Sequence, residues 1–263
     1  AKAYCEKNPE LKILKDEFAN EDYAVCVAKG NDTLREQINQ ALDEITKDGT
    51  MQKINDYYIG VNAGKDRYQA DPKNSKKKKL TMATNAEFPP YEYYYKGKIV
   101  GVDADMMQAV CDRLGMDLEI QNMDFDAVCL AVGQQKCDIA MAGLTITESR
   151  KDQVTFTDSY YNASQKLIVA ADDTTFDACK TKEDVEAIFK TFDSKTKVGA
   201  QNGTTAQFYV EGSEDLDFAG FDMTLVGYKN GSLAVQDLLN GNLDYVIIDA
   251  APAESITAAI NSL

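Results

Sequence analysis

The sequence predicts an α/β fold made of parallel βαβ units, and residues 80–164 carry the features that predict it. Two short apolar runs, LTMAT (80–84) and DLEIQNM (117–123), have the length and composition of buried strands. Two longer segments with helical spacing alternate with them, GVDADMMQAVCDRLG (101–115) and FDAVCLAVGQQ (125–135). Strands that alternate with helices of this length pair in parallel within one sheet.

Polar side chains directly follow three predicted strands, the third being CDIAMAG (137–143). They are Asn85 and Glu87, Asp124 and Asp126, and Thr145 and Arg150. In parallel sheets, ligands bind outside the carboxyl ends of the strands. The sequence therefore predicts a small-molecule site at this edge.

Composition narrows the classes of function. The chain has 263 residues, enough for one large domain or for two smaller lobes with buried cores. Its formal net charge of −15 argues against a nucleic-acid partner, because such partners require a basic surface. No apolar run is long enough to span a bilayer, and no segment has the pattern of a signal peptide.

Histidine and tryptophan are both absent, which removes histidine-based triads, histidine metal sites and a histidine general base. The six cysteines form no CxxC pair, and Cys26, Cys111 and Cys129 lie in apolar patterns typical of core thiols. Cys129 with Cys137 is the one pair that we would test for a disulfide, and no lipobox precedes Cys5. We therefore expect neither a metal nor an organic cofactor.

The C-terminal half repeats the βαβ pattern. The strand KVGAQ (197–201) leads into the turn at residues 202–205, which is either a simple N-cap or a helix N-terminus that binds an anion. The run LDYVIID (243–249) is a strand that ends in Asp249. From the residues alone, a helix cap is favoured for Asp249 over a ligand contact, and the turn is undecided.

The N-terminal part has a different organisation. Residues 11–28 predict two apolar strands around a polar turn. Thr33 and Glu36 predict a capping box at the start of the following helix, and Gly49 predicts its end. Residues 65–79, KDRYQADPKNSKKKK, lack apolar periodicity and contain four consecutive lysines, which predicts a solvated linker.

Six segments of the chain resemble the polar amino-acid family of periplasmic-type solute-binding proteins, the receptors of ABC importers. They are ATNAEFPPYEY (83–93), GVDADMMQAV (101–110), MDFDAV (123–128), DIAMAGLTITESRKDQVTFTDSYY (138–161), GAQNGTTA (199–206) and DYVIID (244–249). Together they run over most of the chain in one consistent order. The resemblance implies the two-lobed type II periplasmic-binding-protein fold of that family.

The N-terminal part, however, resembles the end of the family's domain. In the family, a strand of the type YAVCVAKGN (23–31) and a helix that ends near KDGT (47–50) come last. A helix such as APAESITAAINSL (251–263) normally continues into NPELKIL (8–14). The resemblance therefore implies a circularly permuted order. A true permutant and one unit cut from a tandem array both give this order.

With this order, the resemblance implies two lobes joined by two hinge segments. Lobe 1 is residues 24–64 with 80–159, lobe 2 is residues 1–19 with 165–263, the linker is residues 65–79, and the hinges are residues 20–23 and 160–164. The two parts of each lobe either complete one molecule or exchange between two. We therefore expect a monomer or a domain-swapped pair.

The resemblance also assigns roles at a ligand site. Arg150 takes the position that pairs with the ligand α-carboxylate, for which the planar guanidinium fork is suited, and Asp249 the position that receives the α-ammonium. Phe88 and Phe125 match the aromatic walls, although core packing is an alternative for both. The ligand-binding residues implied are Asn85, Glu87, Phe88, Phe125, Ala142, Gly143, Thr145, Arg150, Gln201, Thr204, Thr205 and Asp249.

Other matched positions refine this site. Gly143 and Thr145 match positions that add backbone and hydroxyl contacts, and Thr205 matches a carboxylate contact at a helix N-terminus. Glu87 either meets a cationic ligand side chain or faces solvent. Gln201, where a glutamine-binding member offers lysine, weakens the case for glutamine or glutamate. We expect a polar or basic amino acid.

The resemblance implies an extracytoplasmic binding protein that captures a free L-amino acid between two closing lobes and delivers it to the membrane subunits of an ABC transporter. No enzymatic activity is expected. A sensory ligand-binding domain of a larger receptor and a cyclohexadienyl dehydratase-like enzyme share the fold and are the alternatives. The expected location is extracellular or periplasmic, associated with the membrane through the transporter or a parent fusion.

Overall fold

The computed structural model describes residues 10–15, 20–59, 64, 66–70, 78–214 and 217–261. The chain divides into two compact units: unit 1 is Ala1–Glu21 with Ala163–Leu263, and unit 2 is Asp22–Asn162. Cys5 lies outside the described residues, as do parts of residues 1–19 and of the predicted linker. Within the described ranges, none of the helices has the length and apolar character needed to cross a bilayer.

Unit 2 is an α/β unit of short alternating elements. Its helices are α1 (Asp32–Lys47), α2 (Thr50–Tyr58), α3 (Val102–Leu114), α4 (Val128–Gly133) and α5 (Glu148–Lys151). Its strands are β3 (Lys79–Thr84), β4 (Glu87–Phe88), β5 (Glu92–Tyr95), β6 (Lys98–Val100), β7 (Asp117–Asn122) and β8 (Ile139–Ala140). Two further strands, β2 (Asn20–Ala28) and β9 (Val154–Ala170), each begin in one unit and end in the other.

The main sheet of unit 2 has the strand order β2, β8, β3, β7. β3 pairs in parallel with both β7 and β8, and α3 and α4 lie in the crossover connections. Met82 of β3 is opposite Ile120 on one side and Ile139 on the other, so an apolar row runs across the sheet. The predicted parallel βαβ arrangement is confirmed. It brings the residues that follow β3, β7 and β8 to one edge.

Unit 1 repeats this pattern around its own strands. Its helices are α6 (Lys182–Phe189), α7 (Thr205–Glu211), α8 (Gly231–Leu239) and α9 (Ala250–Ile260), and its other strands are β1 (Leu11–Ile13), β10 (Lys197–Gln201), β11 (Thr224–Tyr228) and β12 (Tyr245–Asp249). β10 is parallel to β11 and to β12, whereas β9 is antiparallel to β12. In that antiparallel pair, Gln165 is the register partner of Asp249.

The first helix follows its predicted apolar spacing but not its predicted cap. The buried residues of α1 are Leu34, Ile38, Ala41, Leu42 and Ile45. The helix begins at Asp32, and Asn31 stands at its N-cap without a side-chain cap bond. The predicted Thr33–Glu36 capping box is therefore wrong, because Thr33 already lies inside the first turn. Gly49, in the left-handed conformation with φ 81°, follows the end of α1 as predicted.

Residues of the predicted linker are held against α3. The Arg67 guanidinium donates to both oxygens of Asp105, at 2.8 and 2.6 Å, and the Tyr58 hydroxyl donates to the same carboxylate at 2.6 Å. The Tyr68 hydroxyl donates to Asp112 at 2.5 Å. At these two linker residues the chain is thus anchored to unit 2 rather than solvated.

Four cysteines of the described residues are thiols outside any disulfide: Cys26, Cys111, Cys129 and Cys137. The Cys137 thiol donates to the Gln121 side chain at 3.4 Å, whereas Cys129 shares a hydrogen bond with Cys26. That bond, together with burial, raises the pKa of the Cys26 thiol. The candidate Cys129–Cys137 disulfide is therefore not formed.

Candidate functional site

A tight turn after β8 places Gly143 at the centre of the candidate site of unit 2. Gly143 has φ 56°, and a Cβ on it would lie 3.0 Å from Phe88 Cε1 and 3.3 Å from Tyr23 Cε2. Both the conformation and the space therefore require glycine. The Gly143 N–H donates to the Asp103 carboxylate at 2.9 Å. Any backbone contact of Gly143 to a ligand must accordingly use its carbonyl.

Arg150 is the cation of this half of the site, and its position is fixed by the turn that precedes it. Thr147 caps the short helix α5, and its hydroxyl accepts from the Arg150 N–H at 3.2 Å. The Arg150 Nη1 donates to the Thr145 carbonyl at 2.7 Å, and the guanidinium lies 5.4 Å from the centre of the Phe125 ring. The side chain is thus buried and oriented by a carbonyl and an aromatic face.

The two predicted aromatic walls have different surroundings. Phe88 is buried and stacks on Tyr91, with the ring centres 5.7 Å apart. Phe125 is half-buried and faces Arg150. Phe88 therefore serves core packing, which was the alternative for both residues, and it also forms the wall against which Gly143 packs.

The candidate residues that follow β3, β7 and β8 differ in exposure. Asn85 is buried and donates from Nδ2 to the Met123 carbonyl at 2.8 Å, which ties the ends of β3 and β7 together. Glu87 is exposed, and Asp124 and Asp126 are exposed as well. Ala142 is fully buried and belongs to the apolar cluster beneath the sheet edge.

Behind the Gly143 turn lies a buried acid that the sequence did not indicate. Asp103 accepts hydrogen bonds from the Gly143 N–H at 2.9 Å and from the Tyr160 hydroxyl at 2.8 Å, and it also interacts with the buried side chain of Glu92. Burial raises the pKa of the Asp103 carboxyl to about 6, although these hydrogen bonds oppose the rise. Asp103 is a support of the turn.

In unit 1, the predicted anion-binding turn is largely satisfied by the protein itself. Thr204 is the N-cap of α7: its hydroxyl accepts from the Gln207 N–H at 3.5 Å and donates to the Gln201 carbonyl at 2.7 Å. The Gly203 N–H donates to the Gln207 side chain at 2.8 Å. Thr204 is thus an N-cap, and anion binding at this turn stays a prediction.

Asp249 does not act as the cap that the residues alone favoured. It stands at the N-cap of α9 but makes no side-chain cap bond. Its carboxylate instead accepts from Gln165 Nε2 at 3.1 Å. The same Nε2 lies 2.9 Å from Glu21 Oε1 and 3.2 Å from Thr205 Oγ1. All four side chains are buried.

Sequence reasoning missed two members of this cluster, Glu21 and Gln165. Both have polar neighbours in their strands, β2 and β9, so no apolar pattern marked either position as buried. The structure thus gathers Phe88, Gly143, Arg150 and Phe125 on unit 2, and Thr205 with Asp249 on unit 1. Within the described residues, no group of three or more cysteines and carboxylates is arranged to hold a metal ion.

Curated relatives of the chain are binding proteins. The arginine-binding extracellular protein ArtP of Bacillus subtilis is 38% identical over 98 residues, which are 37% of this chain and 38% of ArtP. The probable histidine-binding protein of Neisseria gonorrhoeae is 29% identical over 72% of this chain and 65% of its own length. The chain therefore spans less than two thirds of the length of these relatives.

Solved structures similar to this chain are also those of binding proteins. An ancestral arginine-binding protein bound to arginine is 35% identical with a TM-score of 0.56, over 67% of this chain and 72% of that one. An ancestral amino acid-binding protein, a precursor of cyclohexadienyl dehydratase, is 26% identical with a TM-score of 0.58, over 83% and 78%. Residues 3–61 and 80–245 match a single family, and this confirms the resemblance seen in the sequence. The chain belongs to the bacterial extracellular solute-binding proteins, family 3.

Proposed function

We propose that this chain is a receptor for a free L-amino acid with a cationic side chain, arginine first among the candidates. One observation carries the proposal: of the positions that the resemblance assigns to the charged groups of the ligand, the one on unit 2 is a buried cation and the one on unit 1 is a buried anion. Unit 2 holds the Arg150 guanidinium, and unit 1 holds the Asp249 carboxylate beside Glu21. An α-amino acid is the small molecule that carries one carboxylate and one ammonium group on the same carbon.

Each half of the site supplies one charge of the zwitterion. Arg150 binds the α-carboxylate, since a planar guanidinium fork can form two parallel hydrogen bonds to a carboxylate. Asp249 accepts the α-ammonium. The Thr205 hydroxyl, which accepts from Gln165, keeps its own proton to donate to a ligand oxygen. The ligand side chain then extends toward Phe125 and Asn85.

The names of similar proteins support the choice of a basic ligand. Two of the relatives and one of the similar structures reported above are named as arginine-binding or histidine-binding proteins. The exposed acids Glu87, Asp124 and Asp126 give this region of unit 2 a negative surface that favours a cationic side chain.

Transport is the role that the family supports. We propose that the liganded protein docks on the membrane subunits of an ABC importer outside the cytoplasm. Because the named relatives are binding proteins, we also propose that the chain has no catalytic activity. The dehydratase alternative is tested by incubation with prephenate or arogenate, where loss of the ligand carboxylate would decide in its favour.

We further propose that the order of the segments is circularly permuted relative to the family. The end of α9 and the start of β1 are bound together in unit 1: Asn261 Oδ1 accepts from the N–H groups of Glu10 and Leu11 at 3.1 and 3.3 Å, and its Nδ2 donates to the Leu11 carbonyl at 3.1 Å. A gene that runs from Leu80 to Leu263 and then directly from Lys7 to Val61 should give a folded protein that binds the same ligand, with a lower melting temperature because the bonds of Arg67 and Tyr68 to Asp105 and Asp112 are lost.

A thermal-shift panel of the twenty amino acids, with ornithine, citrulline and cystine added, tests the proposed function. A ligand at 100 times its Kd stabilises the folded state by about 2.7 kcal/mol. For a chain of this size, that corresponds to roughly 5–10 °C in Tm. We expect the largest shift with L-arginine, and almost none with arginine methyl ester, which lacks the carboxylate. No shift with any free amino acid would overturn the proposal.

A further inference from the structure

Two buried thiols lie together in unit 2, where α4 packs on strands β3 and β8 of the sheet. In β2, alternate residues belong to the apolar cluster beneath α4: Ala24, Cys26 and Ala28. Cys26 is the register partner of Ala140 in β8, a member of the same cluster. Because alternate side chains of a strand share one face, Cys26 points to the face that α4 covers, and Cys129 of α4 belongs to this cluster as well.

Small side chains around this pair let the helix approach the sheet closely. Apart from Cys26, the members of the cluster that come from β2, β3 and β8 are alanines. The thiols of Cys26 and Cys129 are hydrogen-bonded to each other, whereas the thiol of Cys137 donates to Gln121. Two hydrogen-bonded sulfurs need only a small shift to reach the S–S length of about 2.05 Å. Cys26 and Cys129 are therefore placed to form a disulfide.

The two thiols differ in reactivity. Cys26 is fully buried, whereas Cys129 is 7% exposed. The hydrogen bond from Cys26 and the positive charge of Arg150 lower the pKa of the Cys129 thiol, although burial opposes this. The hydrogen bond to Cys129 and burial raise the pKa of the Cys26 thiol. Because the thiolate is the reactive form of cysteine, Cys129 is the residue that a small oxidant attacks first, and Cys26 is the resolving partner.

We propose that Cys26 and Cys129 are a redox-active pair that a peroxide converts into a disulfide between β2 and α4. The Cys129 thiolate attacks one oxygen of hydrogen peroxide, the O–O bond breaks, and hydroxide leaves, which gives a sulfenic acid. The Cys26 sulfur loses its proton and attacks the Cys129 sulfur, so that the S–O bond breaks and a second hydroxide leaves. The two thiol protons convert both hydroxides into water. The thiols lose two electrons, and the peroxide gains them.

The disulfide has a structural consequence for unit 2. β2 leads into α1 and α2, which the resemblance places at the end of the family's domain, whereas α4 belongs to the stretch that carries Arg150. A covalent link between Cys26 and Cys129 would hold these two parts of the unit together. It would also close a long loop, which restricts the unfolded chain. We therefore expect the oxidised protein to melt at least about 5 °C above the reduced protein.

Peptide mapping without reduction identifies the pair. The folded protein is treated with an equimolar amount of hydrogen peroxide, the remaining thiols are blocked with iodoacetamide, and the chain is cut with trypsin. Trypsin places Cys26, Cys129 and Cys137 in three different peptides, residues 16–29, 114–136 and 137–150. We expect mass spectrometry to find the first two peptides joined, and a thiol reductant to separate them.

Alanine variants and a melting curve supply the controls. Cys26→Ala and Cys129→Ala should lose both the joined peptides and the rise in Tm on oxidation. Cys111→Ala, at a buried thiol of α3 outside the cluster, should keep both. The peptide map is read on the wild type, so it decides the question even where a variant fails to fold.

Four results would overturn the inference. They are a link between peptides 114–136 and 137–150, oxidation of Cys129 without a link to Cys26, no oxidation of either thiol, and an unchanged Tm after the link has formed. The same treatment in urea should give mixed links, and an equally selective link between peptides 16–29 and 114–136 there would show that the fold does not choose the pair. None of these outcomes depends on the ligand.

Discussion

In unit 2 the candidate ligand groups come from one continuous stretch between Asn85 and Arg150, whereas in unit 1 Glu21, Gln165 and Asp249 come from three strands far apart in sequence. The two sites also differ in how well the protein satisfies them. The Gly143 N–H and Arg150 Nη1 are bound to Asp103 and to the Thr145 carbonyl, but Gln165 Oε1 has no hydrogen-bond partner among the described residues. The protein's own contacts thus orient the candidate groups of unit 2, whereas the cluster of unit 1 keeps one buried oxygen without a described donor.

This difference suggests an order of events. A site whose groups are already oriented binds with little loss of conformational entropy. Interactions that form after the first encounter affect mainly the rate of dissociation. We therefore expect an amino acid to associate first with Arg150 of unit 2, and the interaction with Asp249 to determine how slowly it leaves.

The largest expected effect comes from removing the cation of unit 2. Truncating one partner of a buried charge pair costs about 2–5 kcal/mol, so Arg150→Ala should weaken arginine binding at least about 30-fold in calorimetric titration. Arg150→Lys should weaken it at least about 10-fold, since a lysine keeps the charge but loses the planar fork.

The neighbouring Lys151 offers a matched control for this loss. Its side chain is half exposed and pairs with Glu148 at 2.6 Å. Lys151→Ala should leave the affinity within about 2-fold of the wild type, because exposed ion pairs contribute little. If Arg150→Ala behaves in the same way, the carboxylate is bound elsewhere and the two units do not divide the zwitterion as proposed.

A second prediction concerns Asp103, the buried acid that supports the Gly143 turn of unit 2. The pKa of Asp103 is raised to about 6 in the folded protein, mainly by burial, from an ordinary value of 3.8. The folded state therefore binds this proton more tightly than the unfolded state does. The folded state gains its full stabilisation from this proton below about pH 4, and it loses that stabilisation as the pH rises through 6. The full effect on the free energy of unfolding is about 3 kcal/mol.

Asp103→Asn removes this titration but keeps an oxygen for the Gly143 N–H and the Tyr160 hydroxyl. Between pH 4 and pH 7, the wild type loses this stabilisation and the variant does not. We therefore expect the free energy of unfolding of the variant to change by about 2 kcal/mol more favourably than that of the wild type over this range. Urea unfolding at the two pH values measures the difference. Asp126→Asn, at an exposed carboxylate, is the control. Parallel pH profiles for wild type and Asp103→Asn would contradict the prediction.

The extent to which the sequence predicts the structure also differs between unit 2 and unit 1. The strands and helices of unit 2 were predictable because their apolar spacing is local, and Arg150 lies in a contiguous motif. The cluster of unit 1 was not, because Gln165 meets Asp249 through the register of two distant antiparallel strands. No local pattern encodes that register. The prediction of the α1 cap was wrong for a smaller reason: the helix begins one or two residues earlier than the sequence pattern indicated.

The smallest expected effect concerns the ligand side chain. Glu87 was predicted either to meet a cationic side chain or to face solvent, and it is exposed in unit 2. Because water screens an exposed charge, Glu87→Gln should weaken arginine binding only about 2- to 5-fold. It should leave citrulline, which is uncharged at that end, unaffected. Calorimetric titrations of both ligands at 20 and 200 mM salt measure this, and the difference between the ligands should shrink at the higher salt. Equal effects on arginine and citrulline would mean that Glu87 does not interact with the ligand's charge, and that unit 2 distinguishes ligands through Phe125 and Asn85 alone.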